Sequence, residues 1–350
     1  MATGLTPAQL LSVTADGLDD TALSAMATAP AVLVNLDQPF VLRDLQRLLT
    51  VVEAAPVLLI GIADFATENA AVLGLDLLLC RSPDAPAPWI ACGESFEQKI
   101  EELLLSIGGS PDAAIALAQL LRVGATASAS EAIVAESWVY SLLQGGDRYA
   151  RWLEDQSDRV VRPRPENPIV RLKRIDDELK VCLNRPDVHN AYGTRMRDEL
   201  VEAFRLADSD QTITRVELRG EGPSFCSGGD LDEFGTAPTP VEAHEVRTRR
   251  NAGVALIAIA DRVEVFVHGR CVGAGVELPA FAARVVAHSE TTFLLPEISM
   301  GLVPGAGGTS SIPRRIGRHR CAYFALCGSP IDAPTALNWG LIDAIDDTKF

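Results

Sequence analysis

GRCVGAGVELPAF, residues 269–281, sets one carboxylate, Glu277, just behind three glycines and otherwise among small and apolar side chains. Burying an ionised group is costly unless something pairs with it, so stability alone does not keep a glutamate there. Either Glu277 points to water or it does chemistry. The stretch leading in, RVEVFVHG (262–269), alternates Val263, Val265 and Val267, which predicts a strand. A strand that runs through a glycine turn into a helix brings backbone N–H groups within reach of a ligand.

Two further glycine loops follow the same pattern, SFCSGGD (224–230) and LVPGAGGT (302–309). Two N–H donors converging from such loops on one carbonyl form an oxyanion hole, whereas any one loop alone is a tight turn. None of the three fits GxGxxG or GxxxxGK[ST], so nucleotide-binding readings are weak. Glu297 lies in LLPEISMGLVPGAGGT (294–309), twenty residues after Glu277. Alone it reads as an exposed turn carboxylate. Beside oxyanion donors, two carboxylates are what acid–base chemistry next to a carbonyl requires, one taking a proton from water and the other giving one to carbon.

Farther out, LKVCLN (179–184) and TRVELRG (214–220) predict strands, and Met196, Leu200, Ala203, Phe204 and Ala207 mark one helix face between them. This alternation is that of an α/β fold, in which ligands sit where loops leave the carboxyl ends of strands. A boundary is predicted at RVVRPRPENP (159–168), where three prolines interrupt any period. Before it, AVLVNL (31–36), an apolar-periodic segment at 41–53 and APVLLIGIA (55–63) give a shorter version of the rhythm, followed by DFATENA without glycines. From 94 to 156 the composition turns helical in four stretches, ESFEQKIEELLLSIG, DAAIALAQLLR, SEAIVAESWVYSLLQ and RYARWLEDQ.

The net charge of −16 over 350 residues argues against a nonspecific hold on nucleic acid or an anionic membrane. Residues 1–100 hold four Lys/Arg against twelve Asp/Glu, and all five histidines lie beyond residue 180. The longest apolar run, AAPVLLIGIA (54–63), is too short to span a bilayer and predicts a buried strand. The opening MATGLTPAQLLSVTADG has no charged segment followed by an apolar one, so no export signal is expected. Seven cysteines without a CxxC pair are expected to be reduced thiols in a cytoplasm, and no metal site is expected. Cys226 and Cys271 could be nucleophiles, but no activating histidine is fixed nearby in sequence, so they read as small fillers. His268 reads as a packed histidine, and RTRR (247–250) equally as a phosphate contact or a solvated helix face.

NRPDVHNAY (184–192), SFCSGGDLDEF (224–234), HGRCVGAGVEL (268–278) and TFLLPEISMGLVPGAGGT (292–309) together resemble, in order and spacing, the crotonase (enoyl-CoA hydratase/isomerase) superfamily over roughly residues 170–345. The resemblance implies an α/β fold with a crotonase-like ββα spiral core at 165–350. It implies an oxyanion hole from the backbone N–H groups of Gly229 and Ala274, Glu277 activating water at the β-carbon, and Glu297 protonating the α-carbon. Val188, Gly228, Asp230 and Gly273 are implied as substrate-binding positions. The implied activity is that of a lyase, hydrating a 2-enoyl-CoA thioester without a metal or redox cofactor, in a cytoplasmic homo-oligomer, trimer or hexamer. Isomerisation, thioester or C–C hydrolysis, and a non-catalytic CoA-binding assembly role are the alternatives. Pro279, Ala274, Asp232 and Ala283 depart from common family choices. Residues 94–158 resemble the helical tail that usually follows such a core, here placed before it, and 1–93 a reduced first copy. The tail-like segment is therefore expected to cover the site, in cis or from a neighbour, with an independent appendage as the alternative.

Overall fold

Four parallel strands open the chain: β1 (Ala31–Asn35), β2 (Leu58–Ala63), β3 (Leu77–Cys80) and β4 (Ile90–Ala91), hydrogen-bonded in that order. The structure is a computed structural model describing residues 4–15, 29–37, 45–67, 73–156 and 167–350. Most of the boundary expected at 159–168, the start of the segment at 41–53 and the end of DFATENA lie outside these residues. All six residues of β2 are buried, as a continuous apolar run requires of a parallel strand covered on both faces. Alternation divides them. Leu58, Ile60, Leu77 and Leu79 join the large core shared with the rest of the chain, while Leu59, Leu78 and Cys80 face a smaller cluster with Leu10, Leu48 and Val52. Strands β3 and β4 had no period long enough to be read from sequence.

The four expected helices follow as Phe96–Gly109, Pro111–Gly124, Ala129–Gln144 and Asp147–Glu154. Proline at a first helical position starts the second, and a capping box between Ser128 and Glu131 starts the third.

The second half builds two sheets. Strands β5 (Val170–Ile175), β6 (Glu178–Leu183), β7 (Arg215–Gly220), β8 (Val263–Val267), β10 (Arg284–Ala287) and β13 (Ala344–Ile345) form one, in the order β13-β10-β8-β7-β6-β5. Strands β9 (Arg270–Val272), β11 (Thr292–Leu294) and β12 (Ile331–Asp332) form the other, in the order β12-β11-β9. The chain thus changes sheet four times, at β8–β9, β9–β10, β10–β11 and β12–β13. The Thr194–Ser209 helix crosses from β6 to β7 with its five expected apolar positions buried.

Polar contacts add to the shared core in joining the halves. Buried Asp76 pairs with Arg122 at 2.7 Å and lies 3.8 Å from Arg318, which donates to the Gly74 carbonyl at 2.6 Å. Arg314 donates to the Ala127 carbonyl at 2.7 Å, and the Ser310 hydroxyl to that of Ala129 at 2.9 Å. The tail-like helices therefore pack on the second half of their own chain. Among the described residues no single helix is long and apolar enough to cross a membrane.

Candidate active site

A cavity of about 600 Å³ lies beyond the carboxyl ends of β7, β9 and β11, and its wall includes Gly228, Gly229, Asp230, Ala274, Glu277 and Glu297. The loop after β7 is held like a strand: Tyr192 N–H donates to Gly228 O at 2.7 Å, and Asp230 N–H to Tyr192 O at 3.0 Å. In this bridge the Gly229 amide faces away from Tyr192, and Gly229 lines the cavity. Ala274 begins the turn after β9, and its amide precedes the first hydrogen bond of that turn. Neither amide donates to any group among the described residues.

The turn carrying Glu277 is shorter than the expected helix. It runs only from Ala274 to Glu277 and passes into a 3₁₀ turn at Pro279–Phe281, because Pro279 has no N–H and cannot extend an α-helix. Behind the Ala274 amide there is therefore one short turn, not a row of aligned dipoles. Gly275 lets the turn press against the Cys226 carbonyl, where a Cβ would collide. Gly273 has φ +49°, and a Cβ built on it would lie 2.5 Å from Glu297 Oε1 and 3.8 Å from Glu277 Oε1. The two acids thus flank the same glycine.

Their surroundings differ. Glu277 Oε2 accepts the amides of Ala306 at 2.7 Å and Gly308 at 2.8 Å. Glu297 Oε2 is sealed from solvent without a hydrogen-bond partner among the described residues. Burial raises the proton affinity of both carboxyls; the two amides oppose the rise at Glu277, and the negative field of Glu277 adds to it at Glu297. Glu297 is pushed well above the ordinary carboxyl range.

The remaining expected residues divide. Asp230 lines the cavity but is paired with Arg185 at 2.7 Å. Val188 and Gly273 lie outside its wall: the Val188 carbonyl accepts the Ser227 hydroxyl at 3.4 Å, and the Gly273 amide donates to Leu294 O at 2.9 Å. Cys226 and Cys271 are buried thiols whose proton affinity burial raises, which suits fillers rather than nucleophiles. His268 Nε2 donates to the Gly222 carbonyl at 2.8 Å, beside the Phe350 ring. All three arginines of RTRR have partners within the chain: Arg249 with Glu245, Arg250 with Glu202, and Arg247 with Ser137, Ser141 and Gln144.

Sequence reasoning expected residues 94–158 to cover the site but named none of the side chains they bring to it. Tyr140, Gln144 and Tyr149 form part of the cavity wall, Arg247 stacks on the Tyr140 ring at 4.7 Å, and the Tyr149 hydroxyl accepts the Gly235 amide at 3.1 Å. It missed Glu136 as well, whose carboxylate is 1% exposed and accepts the amides of Gly307 at 2.7 Å and Thr309 at 2.9 Å and the Thr309 hydroxyl at 2.7 Å. The signal was present: Glu136 follows Ala132 and Ile133 at helical spacing, on the face they bury.

The enoyl-CoA hydratase/isomerase family matches residues 178–349. Relatives include the 1,2-epoxyphenylacetyl-CoA isomerase of Escherichia coli, 33% identical over 48% of this chain and 66% of its own, and the 2,3-dehydroadipyl-CoA hydratase of the same organism, 32% identical over 48% and 65%. A crystal structure of an enoyl-CoA hydratase from Thermoplasma volcanium is 30% identical over 52% of this chain and 73% of that one, with a TM-score of 0.48. The chain spans 65–66% of the length of the two curated relatives. It belongs to the enoyl-CoA hydratase/isomerase family, and its second half carries the crotonase-like α/β fold.

Proposed function

We propose that the cavity adds water across the double bond of a 2-enoyl-CoA to give a 3-hydroxyacyl-CoA. The observation that carries the reading is the pair of inequivalent acids beside two unpartnered amides. The amides of Gly229 and Ala274 donate to the thioester oxygen and stabilise the negative charge that grows on it as the β-carbon is attacked. Glu277, oriented through Oε2 by two amides, takes a proton from the attacking water at its other oxygen. Glu297, whose Oε2 has no hydrogen-bond partner among the described residues and whose proton affinity is pushed well up, gives its proton to the α-carbon. Water's hydroxyl goes to the β-carbon, and the two carboxyls exchange protonation states until solvent restores them.

An isomerase among the relatives supports a second reading, in which the same pair moves a double bond without adding water. Product analysis separates the two. The test is loss of enone absorbance on a panel of enoyl-CoAs, run with wild type, Glu277→Gln and Glu297→Gln. Each substitution is expected to lower kcat at least ~100-fold, as removal of a general acid or base does. Variants as fast as wild type would end the assignment.

A further inference from the structure

Four consecutive amides, Ala306 to Thr309, go alternately to two carboxylates: those of Ala306 and Gly308 to Glu277, those of Gly307 and Thr309 to Glu136. The second of these acids stands on the Ala129–Gln144 helix, in the other half of the chain. We propose that Glu136 is a positioning residue for the reaction: by gripping Gly307 and Thr309 it turns the intervening amides toward Glu277 and so fixes the base. The inference rests on the hydration reading of the cavity.

A purely stabilising role fits the surroundings poorly. Glu136 has no salt-bridge partner among the described residues, and it is buried within the field of another acid, an arrangement that costs stability. The charged or titratable groups facing it are Glu277 from the Ala274–Glu277 turn, Glu297 beyond β11, Arg247 from the Pro240–Arg249 helix and Cys321 from the Arg318–Cys327 helix. Arg247, the one cation among them, is directed to Ser137, Ser141 and Gln144. Every partner of Glu136 is a donor, and these contacts oppose the rise in its pKa, to about 8, that burial and the field of Glu277 produce. By keeping the Ala306 and Gly308 amides on Glu277, the grip also keeps in place the two contacts that hold down the proton affinity burial raises there. Thus the first half acts on the chemistry through this one side chain, in addition to walling the cavity.

The experiment compares full-length wild type, Glu136→Gln and Thr309→Val, the last removing only the hydroxyl donor. Steady-state kinetics on the best enoyl-CoA of the panel are run across pH, and the ¹³C-carboxyl resonance of Glu277, assigned by its loss in Glu277→Gln, is titrated in each protein. Glu136→Gln is expected to lower kcat by about 10-fold or more with KM within about 3-fold and, because the amides that hold down the proton affinity of Glu277 are no longer fixed, to move both the acid limb of the rate profile and the Glu277 titration to higher pH. Thr309→Val should lower kcat in the same way, to a smaller extent. A Glu136→Gln protein that melts earlier but keeps kcat, acid limb and titration would overturn the proposal, leaving Glu136 as a structural cap. Should that variant fail to fold, Thr309→Val decides: kcat and Glu277 titration as in wild type overturn it, and a change in both supports it. If wild type hydrates no enoyl-CoA, the hydration reading falls by itself, and the Glu277 titration still decides what Glu136 does.

Discussion

Each half of the chain runs parallel strands into a cleft at their carboxyl ends, and the two clefts have similar volumes, about 690 and 600 Å³. Their acids fare in opposite ways. In the first half Arg81 reaches Asp64 at 3.2 Å and Glu97 at 2.6 Å, and the Asp37 carboxylate accepts the Asp64 amide at 2.9 Å. In the second, Glu277 meets only amides, and Glu297 Oε2 meets nothing among the described residues. A carboxylate neutralised by a guanidinium is held ionised and has little capacity to exchange protons near neutral pH. One kept from water and cations retains a high proton affinity, and that affinity is what acid–base chemistry uses. The shape of the cleft is shared; the partners of its acids make the difference.

The severest way to break the comparison is to separate the halves. Residues 167–350 alone would expose the core they share with the helices and lose the Glu136 grip, and they are expected to be insoluble or inactive; a soluble, fully active fragment would make the first half dispensable. Next comes Asp76→Ala, which leaves Arg122 and Arg318 facing each other almost without solvent and should cost about 3–5 kcal/mol in urea unfolding.

A gentler probe is pH. Because burial raises the proton affinity of Glu277, and the base must be ionised, kcat/KM should climb tenfold per unit toward a limb above the ordinary carboxylate range. For stability, the sign reverses between the halves. The folded-state pKa of Glu277 lies above its unfolded value, so its contribution is present at low pH and lost as pH rises through the folded value. Arg81 lowers that of Glu97, so that contribution is present above the unfolded value and lost as pH falls. The smallest effect is expected for Arg81→Ala, an exposed pair whose loss should leave enoyl-CoA turnover unchanged and the unfolding midpoint nearly so.

What the sequence revealed follows from the range of its signals. The four helices, β2 and the Met196–Ala207 face were legible because burial imposes a local period. Glu277 and Glu297 were legible because each adjoins glycines or a proline that mark a special turn. Strands β3 and β4, four and two residues long, are too short to show a period. Val188 and Gly273 were carried over as substrate contacts, yet the loops fold so that their backbone groups bond within the protein. The one-turn helix at Ala274–Glu277 shows Pro279 acting locally, through its missing N–H, without turning Glu277 out of the cavity. Local spacing marks Glu136 as lying on a buried helix face, but its partners and those of Arg247 stand more than a hundred residues away, and no local pattern encodes them.

The Glu136–Gly307 bond closes a separation of 171 residues. Ends that far apart meet late, since the entropy of closing the intervening loop has to be met before the contact returns anything. In a partly assembled chain these glutamates stay hydrated and titrate like any others. On the proposed reading, the grip that fixes Glu277 is complete only once residues 136 and 307, from different halves of the chain, have met.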